Sequence, residues 1–91
     1  MKVPIGNLTF DHASYDKEGD VLYLHAGESA AATESEETPE GHVLRYGREG
    51  NVVGLTIINA RWLIDREGGV TVTLPEARRV EAEDLEPAFT S

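Results

Sequence analysis

The stretch Asn51-Val52-Val53-Gly54-Leu55-Thr56-Ile57-Ile58-Asn59 decides how the chain is read. Its β-branched and aliphatic residues favour an extended strand. Successive side chains of a strand point to opposite faces, so Val53, Leu55 and Ile57 share one face and Val52, Thr56 and Ile58 the other. Both faces are largely apolar, whereas an antiparallel strand with one wet face alternates apolar and polar residues. The stretch therefore reads as a central strand covered on both sides, by a helix or by a second subunit. Gly54 has no side chain, which marks a point of close approach to the backbone.

The segments on either side supply neighbours. His42-Val43-Leu44-Arg45-Tyr46 is a strand, joined to the first stretch by the tight connection Gly47-Arg48-Glu49-Gly50 with Gly50 suited to a left-handed conformation. Upstream, Ala13–Asp16 and Asp20–Leu24 read as a hairpin. The turn Asp16-Lys17-Glu18-Gly19-Asp20 opens on an Asx residue, and Gly19 is expected to supply a positive φ near its end. Between Gly27 and Gly41, three alanines (Ala30, Ala31, Ala32) precede residues 33–40, where Thr and Ser alternate with Glu; this suits an exposed edge strand whose charge discourages edge-to-edge pairing, or equally a mobile loop. Downstream, Asn59 is placed to cap a short helix over Ala60–Asp65. Gly68-Gly69 turns the chain, and Val70-Thr71-Val72-Thr73-Leu74 alternates with Val70, Val72 and Leu74 inward until Pro75. In the tail, Ala82–Glu86 fits a helical turn, Pro87 argues against a longer helix, and Leu85 and Phe89 are left to dock on the body. The expected fold is α+β. It has one mainly antiparallel sheet of about five strands, one short helix and a partly helical C-terminal tail, in a single domain over residues 1–91.

Charge separates the halves of the 91-residue chain. It carries 17 Asp and Glu against 8 Lys and Arg, a net charge of −9. Residues 1–40 hold most of that excess, and every Arg lies beyond them. Such a surface repels nucleic-acid phosphates and anionic lipid, so neither nucleic acid nor membrane is an expected partner, and a small basic protein would meet the first half. There is no cysteine, which excludes a disulfide framework, a thiol nucleophile and a cysteine-based zinc site. No apolar run approaches the ~20 residues of a membrane span, and the cytoplasm is the expected location.

Motifs for chemistry are sparse. His12, His25 and His42 lack close metal-ligand spacing, and no metal or other cofactor is expected. Asp16, Glu18 and Asp20 alternate like the start of a calcium loop, but the sixth and twelfth positions are Val21 and Gly27, where that loop needs Gly and Glu. The acids of residues 34–40 are solvated and poorly suited to tuned acid–base work. Two groupings remain. Val52, Leu55, Ile57, Ile58, Arg61 and Trp62 form a candidate interface, since tryptophan and arginine are enriched at binding hot spots. Tyr15, Asp16, Asp20 and Tyr23, with His25 or His42 nearby, form a candidate pocket, Asp20 being the carboxylate placed to be partly desolvated beside an apolar strand.

Two segments carry a family resemblance. Tyr15-Asp16-x-x-x-Asp20-Val21-Leu22-Tyr23-Leu24 resembles the opening signature of the domain of unknown function 2283 family, and Gly50-x-Val52-Val53-Gly54-Leu55-x-Ile57 resembles its second. The acidic, Thr- and Glu-rich middle fits the spacing between them, and the resemblance covers about residues 13–60, leaving 61–91 as an extension. Thr56 stands where the family has an acidic residue. The resemblance implies a small prokaryotic protein of compact antiparallel β structure, in a family without an established activity. Some of its members are encoded beside small toxin-like proteins, which points to an antitoxin-like role. It supplies no catalytic residues. The functional expectation is a non-enzymatic homodimeric interaction module, with a small enzyme or ligand-binding protein as the alternative.

Overall fold

The computed structural model describes residues 2–6, 8–27, 32–73 and 76–90. Among them run β1 (Val3–Ile5), β2 (Leu8–Phe10), β3 (His12–Asp16), β4 (Val21–His25), β5 (Ala32–Glu37), β6 (Val43–Gly47), β7 (Val52–Ile58), α1 (Ala60–Glu67), β8 (Gly69–Thr73), β9 (Ala77–Glu81) and α2 (Ala82–Phe89). The architecture is α+β. Its centre is a five-stranded antiparallel sheet in the order β3-β4-β7-β6-β5. The doubly apolar stretch is thus the central strand, and the acidic segment is the edge strand of the two readings it allowed.

Two further hairpins, β1–β2 and β8–β9, add to the single expected sheet. The first turns through Gly6 (φ +61°) and buries Val3, Ile5 and Phe10. The second sets Val70 and Val72 inward and pairs Val70 with Val80. Strand β9 escaped the sequence reading because Val80 is its one large apolar residue. The readings at Leu74, Pro75 and residues 28–31 lie outside the described residues.

Both helices run longer than expected. Helix α1 continues past Asp65 through Arg66 and Glu67 and stops at Gly68 (φ +75°), whose N–H donates to the Ile64 carbonyl at 2.8 Å. Glycine takes this left-handed terminus without a Cβ penalty. Helix α2 runs through Pro87 to Phe89. Leu85 and Ala88 are fully buried and Phe89 packs against the same core, so one face at i, i+3 and i+4 outweighs the backbone bond that proline cannot donate. Both helices and both hairpins pack on one face of the sheet, where Leu22, Leu24, Leu44, Leu55 and Ile57 complete a single core.

Strict alternation fails at one point of β7. Its register against β6 passes from Arg45↔Gly54 to Tyr46↔Val52, leaving Val53 as an extra residue. This bulge reverses the facing predicted for two residues. Val52 packs against the core, whereas Val53 lines a cleft with Tyr23, Arg45 and Thr56 on the opposite face. The close approach at Gly54 comes from this chain itself. A Cβ there would meet the Arg45 Cβ at 3.3 Å and the Leu24 carbonyl oxygen at 3.4 Å.

Candidate functional site

Asp20 holds α1 to the β3–β4 hairpin. Asp16 opens the hairpin turn by accepting the Glu18 N–H at 3.2 Å, and Asp20 closes it. The positive φ of this turn (+54°) falls on Asp20 rather than on Gly19. An aspartate tolerates that conformation because its short side chain bonds locally to backbone. Here it turns the carboxylate onto the helix N-terminus. Oδ1 accepts the Arg61 N–H at 2.7 Å, Oδ2 accepts the Trp62 N–H at 3.1 Å, and the Asp20 carbonyl accepts the Ala60 N–H at 3.1 Å. Three donors that a helix leaves unpaired at its start are thereby satisfied. The Asn59 side chain makes no cap bond, so the cap comes from a residue about forty positions upstream.

Tyr15 adds a third donor to that carboxylate, its hydroxyl lying 2.8 Å from Asp20 Oδ1. Partial burial pushes the Asp20 carboxyl up, but the bonds from Arg61, Trp62 and Tyr15 prevail and hold it below its ordinary value. Burial, reinforced by the bond to Asp20, pushes the Tyr15 hydroxyl up. The Phe89 ring meets Tyr15 edge-on at 4.6 Å. Arg61 lies over Phe89 at 5.0 Å and bonds Glu86 at 2.7 Å. The cluster ties α2, α1 and β3 together. A carboxylate with both oxygens engaged and its acidity strengthened is a poor general base near neutrality.

The sequence-predicted pocket residues therefore divide. Tyr15 and Asp20 meet, Asp16 shapes the turn, and Tyr23 lies on the other face of the sheet, 45% exposed. The imidazoles divide too. His12 and His25 stack across the β3–β4 pair at 4.5 Å, with His12 3.6 Å from Asp11. His42 is buried elsewhere, in the run before β6. Of the predicted interface residues, Leu55 and Ile57 are fully buried in the core, Val52 packs against it, and Ile58 is half-buried. Arg61 serves the cluster around Phe89. Trp62 is 53% exposed, with Arg66 over its ring at 4.9 Å.

The outer face of the sheet is the larger open feature. Ser14, Tyr23, Thr56, Val43 and Glu37 form one cross-strand row, and His12, His25, Gly54, Arg45 and Ser35 the next. Ile58, Val21 and Asp16 begin a third. Val21, Tyr23, Val43, Thr56 and Ile58 stand around the middle of this face together with Arg45, which packs over Gly54; Asp16 and Glu37 lie on the edge strands, and only Val53 and Gly54 on this face are buried.

A family model described as Protein of unknown function (DUF2283) matches residues 12–61, more than half of the chain. The chain belongs to this family. No curated protein and no solved structure matches it. The DUF2283 match begins with β3 and ends at Arg61, whose N–H is bonded to Asp20. It takes in the five-stranded sheet, its whole outer face and the capped start of α1. The segments outside the DUF2283 match, β1, β2, β8, β9, α2 and most of α1, cover the inner face. Among the described residues, no helix is long and apolar enough to cross a membrane.

Proposed function

We propose that this protein is a non-enzymatic interaction module that works as a homodimer, two copies meeting through the outer faces of their five-stranded sheets. The observation that supports this reading is a sheet face on which Val21, Tyr23, Val43 and Ile58 are left partly or largely exposed while the same strands bury their other side. Two such faces pack as a sandwich about 10 Å apart. Tyr23, Val43, Thr56 and Ile58 would form its centre with Arg45 beside them over Gly54, and Asp16 and Glu37 on the edge strands would stay in water. Arg61 and Trp62 lie on α1, away from this face, and are no part of this contact. The Tyr15–Asp20 grouping favours a structural role, since its carboxylate is consumed in capping α1.

A small basic protein is the proposed partner of the dimer. The support is the acidic edge strand β5, where Glu34, Glu36 and Glu37 are exposed. Exposed charges are screened by salt, so low-salt capture of such a partner is expected to be lost at high salt. Salt-insensitive binding would count against β5 as the site. For the dimer, light scattering after size exclusion at micromolar concentration is expected to give about twice the 9.9 kDa chain mass. The pair Tyr23→Glu and Val43→Glu should return the monomer while circular dichroism stays unchanged. A wild-type monomer would overturn the proposal.

A further inference from the structure

His42 is 2% exposed, yet among the described residues its imidazole has one hydrogen bond. Nδ1 accepts the Ile58 N–H at 3.1 Å. That fixes the tautomer: the Nδ1 lone pair is in use, so the ring proton sits on Nε2. Among the described residues nothing accepts from that Nε2–H. Among the described residues no buried side-chain nitrogen or oxygen lacks a partner, so this N–H opens onto the cleft that His42 lines, where an acceptor can be supplied. The cleft, of about 300 Å³, lies between the turn before β6, helix α1 and the β8–β9 hairpin. That size is at the small end of ligand sites.

The remaining walls restrict the occupant. Leu63 and Val70 are apolar. Glu40 accepts both the N–H and the hydroxyl of Thr73, at 3.0 and 2.7 Å. Glu67, the last residue of α1, is exposed, and its carboxylate has no hydrogen bond among the described residues. Arg79 is already spent on the Glu81 carboxylate and the Glu67 carbonyl oxygen. Two carboxylates against one engaged guanidinium disfavour an anion. The protonated Nε2 has no lone pair for a metal ion. What fits is a neutral group presenting a carbonyl oxygen to His42 and an N–H to Glu67.

We propose that this cleft is a binding site for a small neutral amide, a lactam, carboxamide or ureide. The carbonyl accepts from His42 Nε2–H and the adjacent N–H donates to the Glu67 carboxylate. The test is a titration of the full-length, ¹⁵N-labelled protein with 2-pyrrolidinone, following the His42 ring nitrogens and the Thr71 amide by NMR. Acetate, inorganic phosphate and methylammonium serve as comparison probes. Saturable shifts with the lactam alone are expected, weakened about tenfold in Glu67→Ala, the loss of one charge-assisted hydrogen bond. Among the described residues Glu67 has no side-chain bond to lose on folding, so that variant reports on the site rather than on stability. Absence of a saturable lactam shift, equal affinity in Glu67→Ala, or stronger shifts with any of the ionic probes would overturn the proposal.

Discussion

Leu22, Leu24, Leu44, Leu55 and Ile57 project from one face of the five-stranded sheet and are almost inaccessible to water. Val21, Val43, Thr56 and Ile58 project from the other face of the same strands and stay half-exposed, and Tyr23 more so. The five strands are shared, although the outer side also carries polar groups such as Ser14, His25 and Arg45. The difference is in what the chain folds over them. Segments flanking residues 12–61 close the inner face, and no described helix or hairpin joins the outer one. Burial is thus decided by connectivity as much as by residue type, and an apolar face left open marks where association can act.

Truncation on the two faces should separate them most sharply. Leu55→Ala removes a fully buried side chain from the core and is expected to cost about 3 kcal/mol, read as a lowered urea midpoint. A cost below ~1 kcal/mol would break the comparison. Next comes the junction that carries the cover. Asp20→Ala leaves the Arg61 and Trp62 N–H groups and the Tyr15 hydroxyl without their acceptor, an expected loss of about 2 kcal/mol. Asp20→Asn, which keeps one acceptor oxygen, should lose less in the same urea titration.

Acid should weaken the inner side in two stages. Burial holds the His42 imidazole below its ordinary 6.5, so the unfolded chain binds that proton first. The stability this contributes is complete above about pH 6.5 and falls as pH drops toward the folded value. Asp20 is held below its ordinary 3.8, and its contribution is lost only as pH falls beneath that. Urea midpoints measured from pH 8 to 3 should show both declines, the second flattened in Asp20→Asn. A midpoint that rises on acidification through pH 6 would contradict the His42 placement. The smallest effect is expected on the outer face. Tyr23→Ser should change the stability of the monomer by no more than ~0.5 kcal/mol while weakening self-association. A larger loss in dilute protein would mean that the outer face already has an intramolecular cover.

Much of the sheet was legible because its signals are local. Period-2 alternation marked β8, the Asx-and-glycine turn marked the β3–β4 hairpin, and the apolar run of β7 identified the central strand. Where reading failed, the deciding contact was distant or irregular. The bulge at Val53 exchanged the facing of two valines through a register that only β6 imposes. The helix through Pro87 follows from the core waiting for Leu85, Ala88 and Phe89. In the candidate sites, Asp20 was recognised as partly desolvated, but its partners lie about forty residues away, and a turn aspartate does not reveal which helix it will cap. His42 resembled an ordinary histidine before a strand, with nothing in its neighbours to show that Ile58 would occupy Nδ1.

By itself, the sequence determined the acidic charge, the cysteine-free chemistry, the strand-rich α+β class and the central place of Val52–Ile58. These depend on composition and on periodicities of a few residues. Tertiary structure alone decided which face of that strand is closed, that Asp20 caps a helix, and that His42 lines a cleft with its Nδ1 taken by Ile58. Each depends on groups far apart in the chain reaching hydrogen-bond or van der Waals distance, and the energy of such contacts falls away within a few ångströms.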